Sequence, residues 1–247
     1  MSSNNDSKRS RRTFLKGTAA VATGLALAPG VRLLGVAQAK ADDEAVTGAV
    51  RWGLLIDTTK CSDCDVCVEA CHTENGVKDQ GDPETTPQWI RKLMAKDKMT
   101  GHVVTLPMMC QHCEHPPCVD VCPTGASFRR ADGIVLVDRH ICIGCRYCMM
   151  ACPYKARSFE HVDVTDQAPH APRGKGTVES CTMCVHRVDK GREPACVEAC
   201  NSTGQGAMVF GDLKDSTSSI SMALAEHGGK QIRADLGLNT GVRYRGI

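Results

Sequence analysis

The apolar residues of this chain fall in short runs that predict strands joined by loops. Residues 52–57, Trp-Gly-Leu-Leu-Ile-Asp, predict a first strand. Residues 89–94 and 102–106 predict a hairpin that turns about residues 98–101. The polar stretch 74–87 contains Gly and Pro, which favour a surface loop over regular structure.

Later runs predict a second hairpin, a returning strand and one helix. Residues 128–138 form the hairpin, because Asp-Gly between two apolar runs is a strong turn signal. The apolar run 207–211 predicts a further strand, and its pairing with the strand at 52–57 is implied by the resemblance described below. Residues 218–227 have helical apolar spacing and end at a Gly pair, which stops a helix. We expect the remaining tail, 236–247, to lie extended over the surface.

The sixteen cysteines of the chain all belong to four closely spaced motifs. The third motif, C-x2-C-x2-C-x3-C-P, has the spacing of the bacterial ferredoxin run that binds a cubane iron–sulfur cluster. The first motif has the same spacing without the final Pro, and the second and fourth contain longer gaps. In chain order the motifs are Cys61-Cys64-Cys67-Cys71, Cys110-Cys113-Cys118-Cys122, Cys142-Cys145-Cys148-Cys152 and Cys181-Cys184-Cys196-Cys200.

Sixteen thiols match four [4Fe-4S] clusters, because each cubane takes four soft thiolate ligands. Cluster binding can also supply folding energy, and aromatic residues, at 4% of the chain, offer little core of their own. We expect backbone N–H groups near Gly144 to donate to cluster sulfurs, and Met149 and Met150 to pack around the clusters. His112 and His115 are expected beside a cluster or at the surface, because the thiols already complete the ligand set.

The cysteines could also form disulfides or bind structural zinc. A disulfide framework would suit an oxidising compartment, but it explains neither the fourfold spacing nor the Cys-Pro endings. A zinc ribbon, and with it a partly redox-inert scaffold, stays open for the fourth motif alone, since paired cysteines separated by a loop are typical of structural zinc. The sequence contains no recognisable nucleophile–base arrangement or phosphate-binding loop, so it predicts no catalytic residues.

Residues 1–41 have the pattern of a twin-arginine export signal. The arginine pair at 11–12 precedes an apolar segment at 17–31 and an Ala-Gln-Ala site, which predicts cleavage after Ala39 or Ala41. The apolar segment is too short to span a membrane, which takes about 20 residues. We therefore expect export to the periplasm.

The charge of the chain changes once this segment is set apart. Residues 1–41 hold seven Lys and Arg and one Asp, which leaves 23 basic and 27 acidic residues in the remainder. A slightly acidic chain without a basic stripe predicts no nucleic-acid partner.

Residues 105–160 resemble a two-cluster bacterial ferredoxin, since a motif, a hairpin and a second motif follow one another. Over residues 50–215 the chain resembles the four-cluster electron-transfer subunits of the DMSO reductase, polysulfide reductase and formate dehydrogenase class. The four motifs carry this resemblance, together with Cys181-Thr-Met-Cys184-Val-His-Arg187, Pro194-Ala-Cys196-Val-Glu-Ala-Cys200 and Phe210-Gly-Asp-Leu213. The export signal and the tail at 236–247 are most similar to the periplasmic, DsrO-type subunits of Dsr membrane complexes.

The resemblance implies an α+β fold of two ferredoxin-like, two-cluster halves around a cofactor-dominated core. The inner half, 105–160, is inserted into an outer half made of 50–104 and 161–215, and 216–247 add a helix and a tail. As in ferredoxins, the fourth cysteine of each motif is expected to bind the neighbouring cluster. The implied ligand sets are Cys61, Cys64, Cys67 and Cys200; Cys181, Cys184, Cys196 and Cys71; Cys110, Cys113, Cys118 and Cys152; and Cys142, Cys145, Cys148 and Cys122.

The same resemblance implies a periplasmic electron-transfer subunit, not an enzyme with its own substrate site. Its implied partners are a polytopic quinone-reactive membrane subunit and a periplasmic cytochrome c, in a Dsr-type complex of sulfur metabolism. The alternative is the same role in a molybdopterin oxidoreductase or nitrite reductase system. A chain that itself reduces a sulfur or nitrogen oxide is disfavoured, because sixteen ligating thiols leave no iron open.

Overall fold

The protein is described by a computed structural model that covers residues 46–61 and 64–247; the predicted export signal lies outside the described residues. Its central sheet has the order β8-β1-β9. Strand β1 (Trp52–Asp57) pairs antiparallel with β8 (Met208–Asp212), with Leu54 opposite Phe210. The predicted pairing of the first strand with the apolar run at 207–211 is therefore confirmed.

The expectation that the C-terminal tail lies over the surface is wrong. Strand β9 (Val242–Arg245) pairs parallel with the other edge of β1, and Val242 and Tyr244 are fully buried. The Tyr244 hydroxyl donates to the carbonyl of Pro107 at 2.9 Å and accepts from Gln111 Nε2 at 3.2 Å. The tail therefore completes the core, because β9 pairs with the backbone N–H and C=O groups on the edge of β1 that β8 leaves free and buries Val242 and Tyr244.

Three hairpins supply the other sheets. Both predicted hairpins are confirmed, and the first turn is held by the Asp97 carboxylate, which accepts from the backbone N–H groups of Met99 and Thr100. The third hairpin closes the connection between residues 160 and 177. The pairs are β2 (Ile90–Lys96) with β3 (Val103–Met109), β4 (Ser127–Arg129) with β5 (Val135–Val137), and β6 (Ser158–Phe159) with β7 (Val178–Glu179).

The helices are short, and most of them bring cysteines into the interior. Within the described residues they are α1 (Val66–Asn75), α2 (Pro117–Asp120), α3 (Tyr147–Ala151), α4 (Val185–Val188), α5 (Ala195–Ser202) and α6 (Ser219–His227). Helix α1 packs against α5, and α2 packs against α3. The predicted helix at 218–227 is confirmed, and the Ser218 hydroxyl caps it by accepting from the N–H of Ser221 at 3.3 Å.

A buried charge network joins these elements. Nη2 of Arg173 lies 2.6 Å from Glu160 and 2.7 Å from Glu179, and all three side chains are almost inaccessible to solvent. Arg173 also donates to the carbonyl of Gly76 at 2.8 Å, just beyond α1. Trp89 donates its indole N–H to Glu179 at 3.1 Å. The network thus ties α1, the start of β2 and the β6–β7 hairpin together.

The fold class is α+β, as predicted, and its interior is built around cysteines as much as around apolar side chains. In the part of the chain that the structure describes, no helix has the length and apolar character needed to cross a membrane.

Candidate metal centres

The cysteine thiols gather in four quartets, and none of the sixteen forms a disulfide. Each quartet combines three cysteines of one motif with the last cysteine of another. We call them set A (Cys61, Cys64, Cys67, Cys200), set B (Cys71, Cys181, Cys184, Cys196), set C (Cys110, Cys113, Cys118, Cys152) and set D (Cys122, Cys142, Cys145, Cys148).

Sets C and D each line a cavity of their own. The set C cavity is closed by Pro117, Tyr154 and Arg157 in addition to its four cysteines. The set D cavity is closed by Ser127, Gly144 and Val178. The short helices α2 and α3 pack together between the two cavities and carry one buried cysteine each. The last cysteine of the second motif, Cys122, therefore lies beside the first three cysteines of the third motif. In the same way Cys152, the last cysteine of the third motif, lies beside the first three of the second.

In sets A and B the thiols act on one another electrostatically. Burial, and then the thiolates of Cys200, Cys61 and Cys64, raise the pKa of Cys67 to about 12. Burial, and then the thiolates of Cys181, Cys196 and Cys184, raise the pKa of Cys71 well above its usual value. The structure thus brings Cys200 to the first motif and Cys71 to the fourth motif.

The arrangement does not suit a zinc ribbon built from the fourth motif. Such a site needs Cys200 beside the other three cysteines of its motif. Burial raises the pKa of Cys196, and the thiols of Cys181, Cys184 and then Cys67 raise it further. Cys71, not Cys200, is the fourth cysteine of this quartet. Set B therefore has the crossed composition of a ferredoxin site.

Solvent exposure divides the quartets into two classes. All four thiols of set B and all four of set C are buried. Cys61 and Cys64 of set A are half-buried, as are Cys122 and Cys142 of set D, and Cys145 is exposed. Two enclosed quartets thus lie in the interior, and two others reach the surface.

The last cysteine of each motif receives a hydrogen bond. Backbone N–H groups point at the sulfurs of Cys122 and Cys200 at 3.3 Å and at the sulfur of Cys152 at 3.5 Å. The side-chain amide of Asn75 lies 3.8 Å from Cys71 Sγ. Donors of this kind stabilise thiolates and are one means of adjusting a cluster's reduction potential.

Glycine is required in the set D loop. Gly144 has φ +68°, and a Cβ there would lie 2.1 Å from the carbonyl oxygen of Gly176. The loop therefore approaches the connection before β7 more closely than any other residue allows. The N–H of Val178 in turn points at Cys142 Sγ at 3.5 Å.

Of the residues predicted to lie near the clusters, His112 is buried and Met150 is exposed. His112 is buried, and its Nδ1 accepts from the N–H of Val135 at 3.0 Å, while burial and then the charge of Arg157 lower its pKa to about 3. Met150 is 64% exposed, so the expectation that it packs around a cluster is wrong. Arg157 was not predicted from the sequence, because a single arginine after a Cys-Pro pair carries no spacing signal.

Eleven buried thiols fit iron–sulfur ligation. Burial and neighbouring thiols raise the pKa of most of them, so forming the thiolates requires a compensating positive charge. Iron supplies that charge, and binding releases the thiol protons. Four soft thiolates per quartet match a cubane.

Comparisons with known proteins agree with this chemistry. A sequence profile described as a 4Fe-4S dicluster domain matches residues 101–213, and a second profile with the same description matches residues 60–126. Two dicluster domains correspond to four [4Fe-4S] clusters, and the chain carries four such clusters.

Several relatives are similar over nearly the whole chain. The iron-sulfur subunit 1 of the Hdr-like menaquinol oxidoreductase of Archaeoglobus fulgidus is 43% identical over 263 residues, which cover 95% of this chain and 97% of that protein. A subunit of the tetrathionate reductase of Salmonella typhimurium is 36% identical, with 96% and 88% covered. Protein NrfC of Escherichia coli is 34% identical, with 88% and 86% covered.

Fold and quartets define an iron–sulfur protein of the dicluster type. The chain belongs to the family of iron–sulfur electron-transfer subunits that serve multisubunit oxidoreductases. Within such a complex it carries electrons and is not the catalytic subunit.

Proposed function

We propose that the chain is a four-cluster relay, in which sets A, B, C and D each hold one [4Fe-4S] cluster. The observation that carries this proposal is the distribution of exposure: two quartets are wholly buried and two reach the surface. A relay needs this distribution, because electrons must enter and leave at the surface while the intermediate centres are shielded.

Electrostatic interactions between quartets support the order A, B, C, D. Cys67 of set A acts electrostatically on Cys71 and Cys196 of set B. Cys181 of set B acts in the same way on Cys110 of set C. The Arg157 side chain donates to a thiol of set C and to Ser127, which lines the set D cavity. Each quartet thus adjoins the next one in this order, and the partly exposed sets A and D are at the two ends.

The same order supports the inserted arrangement of two halves. Sets A and B belong to the outer half, whose two pieces meet where β1 pairs with β8 and α1 packs against α5. Sets C and D belong to the inner half, which lies between those pieces in the sequence. We propose residues 50–104 and 161–215 as the outer half and residues 105–160 as the inner half.

Serine variants test the ligand sets. Cys122→Ser and Cys145→Ser should abolish the same cluster signal in electron paramagnetic resonance, because both residues are in set D. Cys152→Ser should abolish a different signal, together with Cys118→Ser. The scheme is wrong if Cys122→Ser and Cys118→Ser remove the same signal, since both belong to the second motif and an uncrossed site would hold them together.

The partner at one end is proposed to be a quinone-reactive membrane subunit. Around the exposed Cys145, the side chains of Ile143, Tyr147 and Met150 are 55–66% exposed and form an apolar patch. Exposed patches of this kind mark interaction sites. The name of the Archaeoglobus relative, a menaquinol oxidoreductase subunit, supports a partner that handles quinol.

Membrane fractionation tests this partner. Membranes prepared without detergent should retain the protein, and deleting the gene of the membrane subunit should release it. Ile143→Asp with Met150→Asp should release it in the same way with the iron content unchanged, whereas Met99→Asp, in the exposed β2–β3 turn, should not. A protein that is freely soluble in the wild type would instead be a diffusible carrier.

We propose a periplasmic location, reached through the twin-arginine pathway that residues 1–41 resemble. That pathway exports folded proteins, which suits clusters inserted before export. Replacing Arg11 and Arg12 by Lys should leave cluster-loaded protein in the cytoplasm. Unchanged periplasmic accumulation would contradict the location.

The particular complex is proposed to be of the Dsr type, with a periplasmic cytochrome c as a further redox partner. The export signal and the C-terminal tail support this choice over the alternative, a molybdopterin oxidoreductase or nitrite reductase system. Protein NrfC among the relatives, which serves a nitrite reductase, supports the alternative. Purifying the intact complex and identifying its subunits by mass spectrometry decides between them: a haem c subunit favours the first and a molybdopterin subunit the second.

A further inference from the structure

A buried guanidinium lies between set C and set D. Arg157 follows the Cys-Pro end of the third motif and is 5% exposed. One Nη donates to Cys118 Sγ of set C at 3.2 Å, and the other donates to Ser127 Oγ at 2.6 Å. The guanidinium also interacts electrostatically with the Cys148 thiol of set D, and Ser127 lines the set D cavity. A single cation is therefore hydrogen-bonded both to a thiol of set C and to a residue that lines the cavity of set D.

Sulfur groups balance the charge of Arg157. Among the residues that the structure describes, no carboxylate forms an ion pair with it. Its Nη2 donor is instead directed at the Cys118 sulfur. A buried cation is costly unless negative charge lies beside it, so this position is matched to anionic groups on two sides.

We propose that Arg157 sets the reduction potentials of the clusters held by sets C and D, an inference that rests on the ligand sets of the proposed function. Reduction adds one electron, and hence one negative charge, to either cluster. A fixed cation in a buried site favours the reduced form of each. Because the same cation lies beside both quartets, it raises the two potentials together and leaves the difference between them little changed.

Potentiometry of the cluster-loaded, full-length protein tests this role. In Arg157→Gln the midpoint potentials of two clusters should fall, and those of the other two should stay at their wild-type values. Cys152→Ser and Cys145→Ser identify the affected signals as those of sets C and D. The titration is followed by electron paramagnetic resonance, so it does not depend on turnover.

Two further variants separate charge from structure. Arg157→Lys keeps the charge and loses the planar fork, so the same two potentials should fall by less than in Arg157→Gln. Lys98→Gln removes one positive charge from the exposed β2–β3 turn and should shift none of the four potentials. If Arg157→Gln does not load its clusters, the selective shift in Arg157→Lys decides.

The proposal is overturned if all four potentials stay unchanged in both Arg157 variants, or if all four shift by the same amount. A different result bears on the proposed function instead: a wild-type protein with fewer than four clusters, or serine variants that pair the signals in another way, overturns the ligand sets themselves.

Discussion

Arg173 is the residue that joins the buried charge network. It lies between Glu160 and Glu179, and replacing it by Met leaves two buried carboxylates without their cation. Breaking a buried pair in this way costs about 3–5 kcal/mol. We expect the apparent melting temperature of the loaded protein to fall by about 6–20 °C, measured by circular dichroism.

A nearby exposed ion pair provides the control for Arg173. Lys175 lies 3.4 Å from Asp163, and both side chains are more than half exposed. Such pairs contribute about 0–1 kcal/mol, so Lys175→Met should change the melting temperature by only a few degrees. Equal effects of the two substitutions would contradict a structural role for the buried network.

Gly144 is a second position where one residue controls a whole site. In Gly144→Ala the new Cβ meets the carbonyl of Gly176, so the set D loop must move. We expect one cluster to be lost, which iron analysis detects as about four fewer iron atoms per chain. Gly101→Ala has the same positive φ but open space around the Cβ, and should keep the full iron content.

Some single residues can be predicted from the sequence and others cannot. The cysteines can be found because ligation imposes a fixed spacing on them. Arg157 contacts a thiol of set C, and His112 contacts the backbone of Val135. Both contacts join segments that are distant in sequence, so no local pattern identifies them. Gly144 was noted for its N–H, whereas the close approach to Gly176 depends on a connection more than thirty residues away.

At the scale of elements, β9 carries the most testable consequence. Tyr244 is fully buried and connects β9 to β3 through its hydroxyl. Replacing a buried aromatic side chain by Ala costs about 3–5 kcal/mol, so Tyr244→Ala should strongly destabilise the protein in thermal unfolding. Tyr244→Phe removes only the hydrogen bonds and should cost about 0.5–1.5 kcal/mol. A Tyr244→Ala protein as stable as the wild type would mean that β9 is not part of the core in solution.

The elements differ in how well the sequence predicts them. Both hairpins and the capped helix are local, so turn and cap residues define them. The β1–β8 pairing was predicted through the resemblance, because the two strands flank the first and last motifs. Strand β9 has the alternation of a strand, with Val242 and Tyr244 inward, but its parallel partner is far away in sequence. Its burial was therefore not predicted.

At the scale of the whole molecule, cluster binding and folding are coupled. Eleven buried thiols replace much of an ordinary core, and in the proposed ligand sets each cluster links two motifs that are distant in sequence. Removing iron by chelation under reducing, anaerobic conditions should therefore abolish cooperative thermal unfolding. Addition of iron and sulfide should restore it. An iron-free chain that still unfolds cooperatively at the original temperature would contradict this coupling.

The order of the quartets belongs to this scale as well. Motif spacing predicts the number of clusters, and the resemblance to ferredoxins predicts which cysteines cross. Which quartet adjoins which depends on interactions such as the electrostatic one of Cys181 with Cys110, and these form only once the two halves are packed. The order and the two exposed ends could therefore be described only with the structure.

The central claim, a relay of four [4Fe-4S] clusters, is tested most directly by the metal content of the purified protein. Iron and acid-labile sulfide, measured per chain together with zinc and with Mössbauer spectra, should come to about 16 iron and about 16 sulfide, all in cubane form and without zinc. About 12 iron with one zinc per chain would contradict the claim, because one quartet would then be a structural zinc site outside the relay.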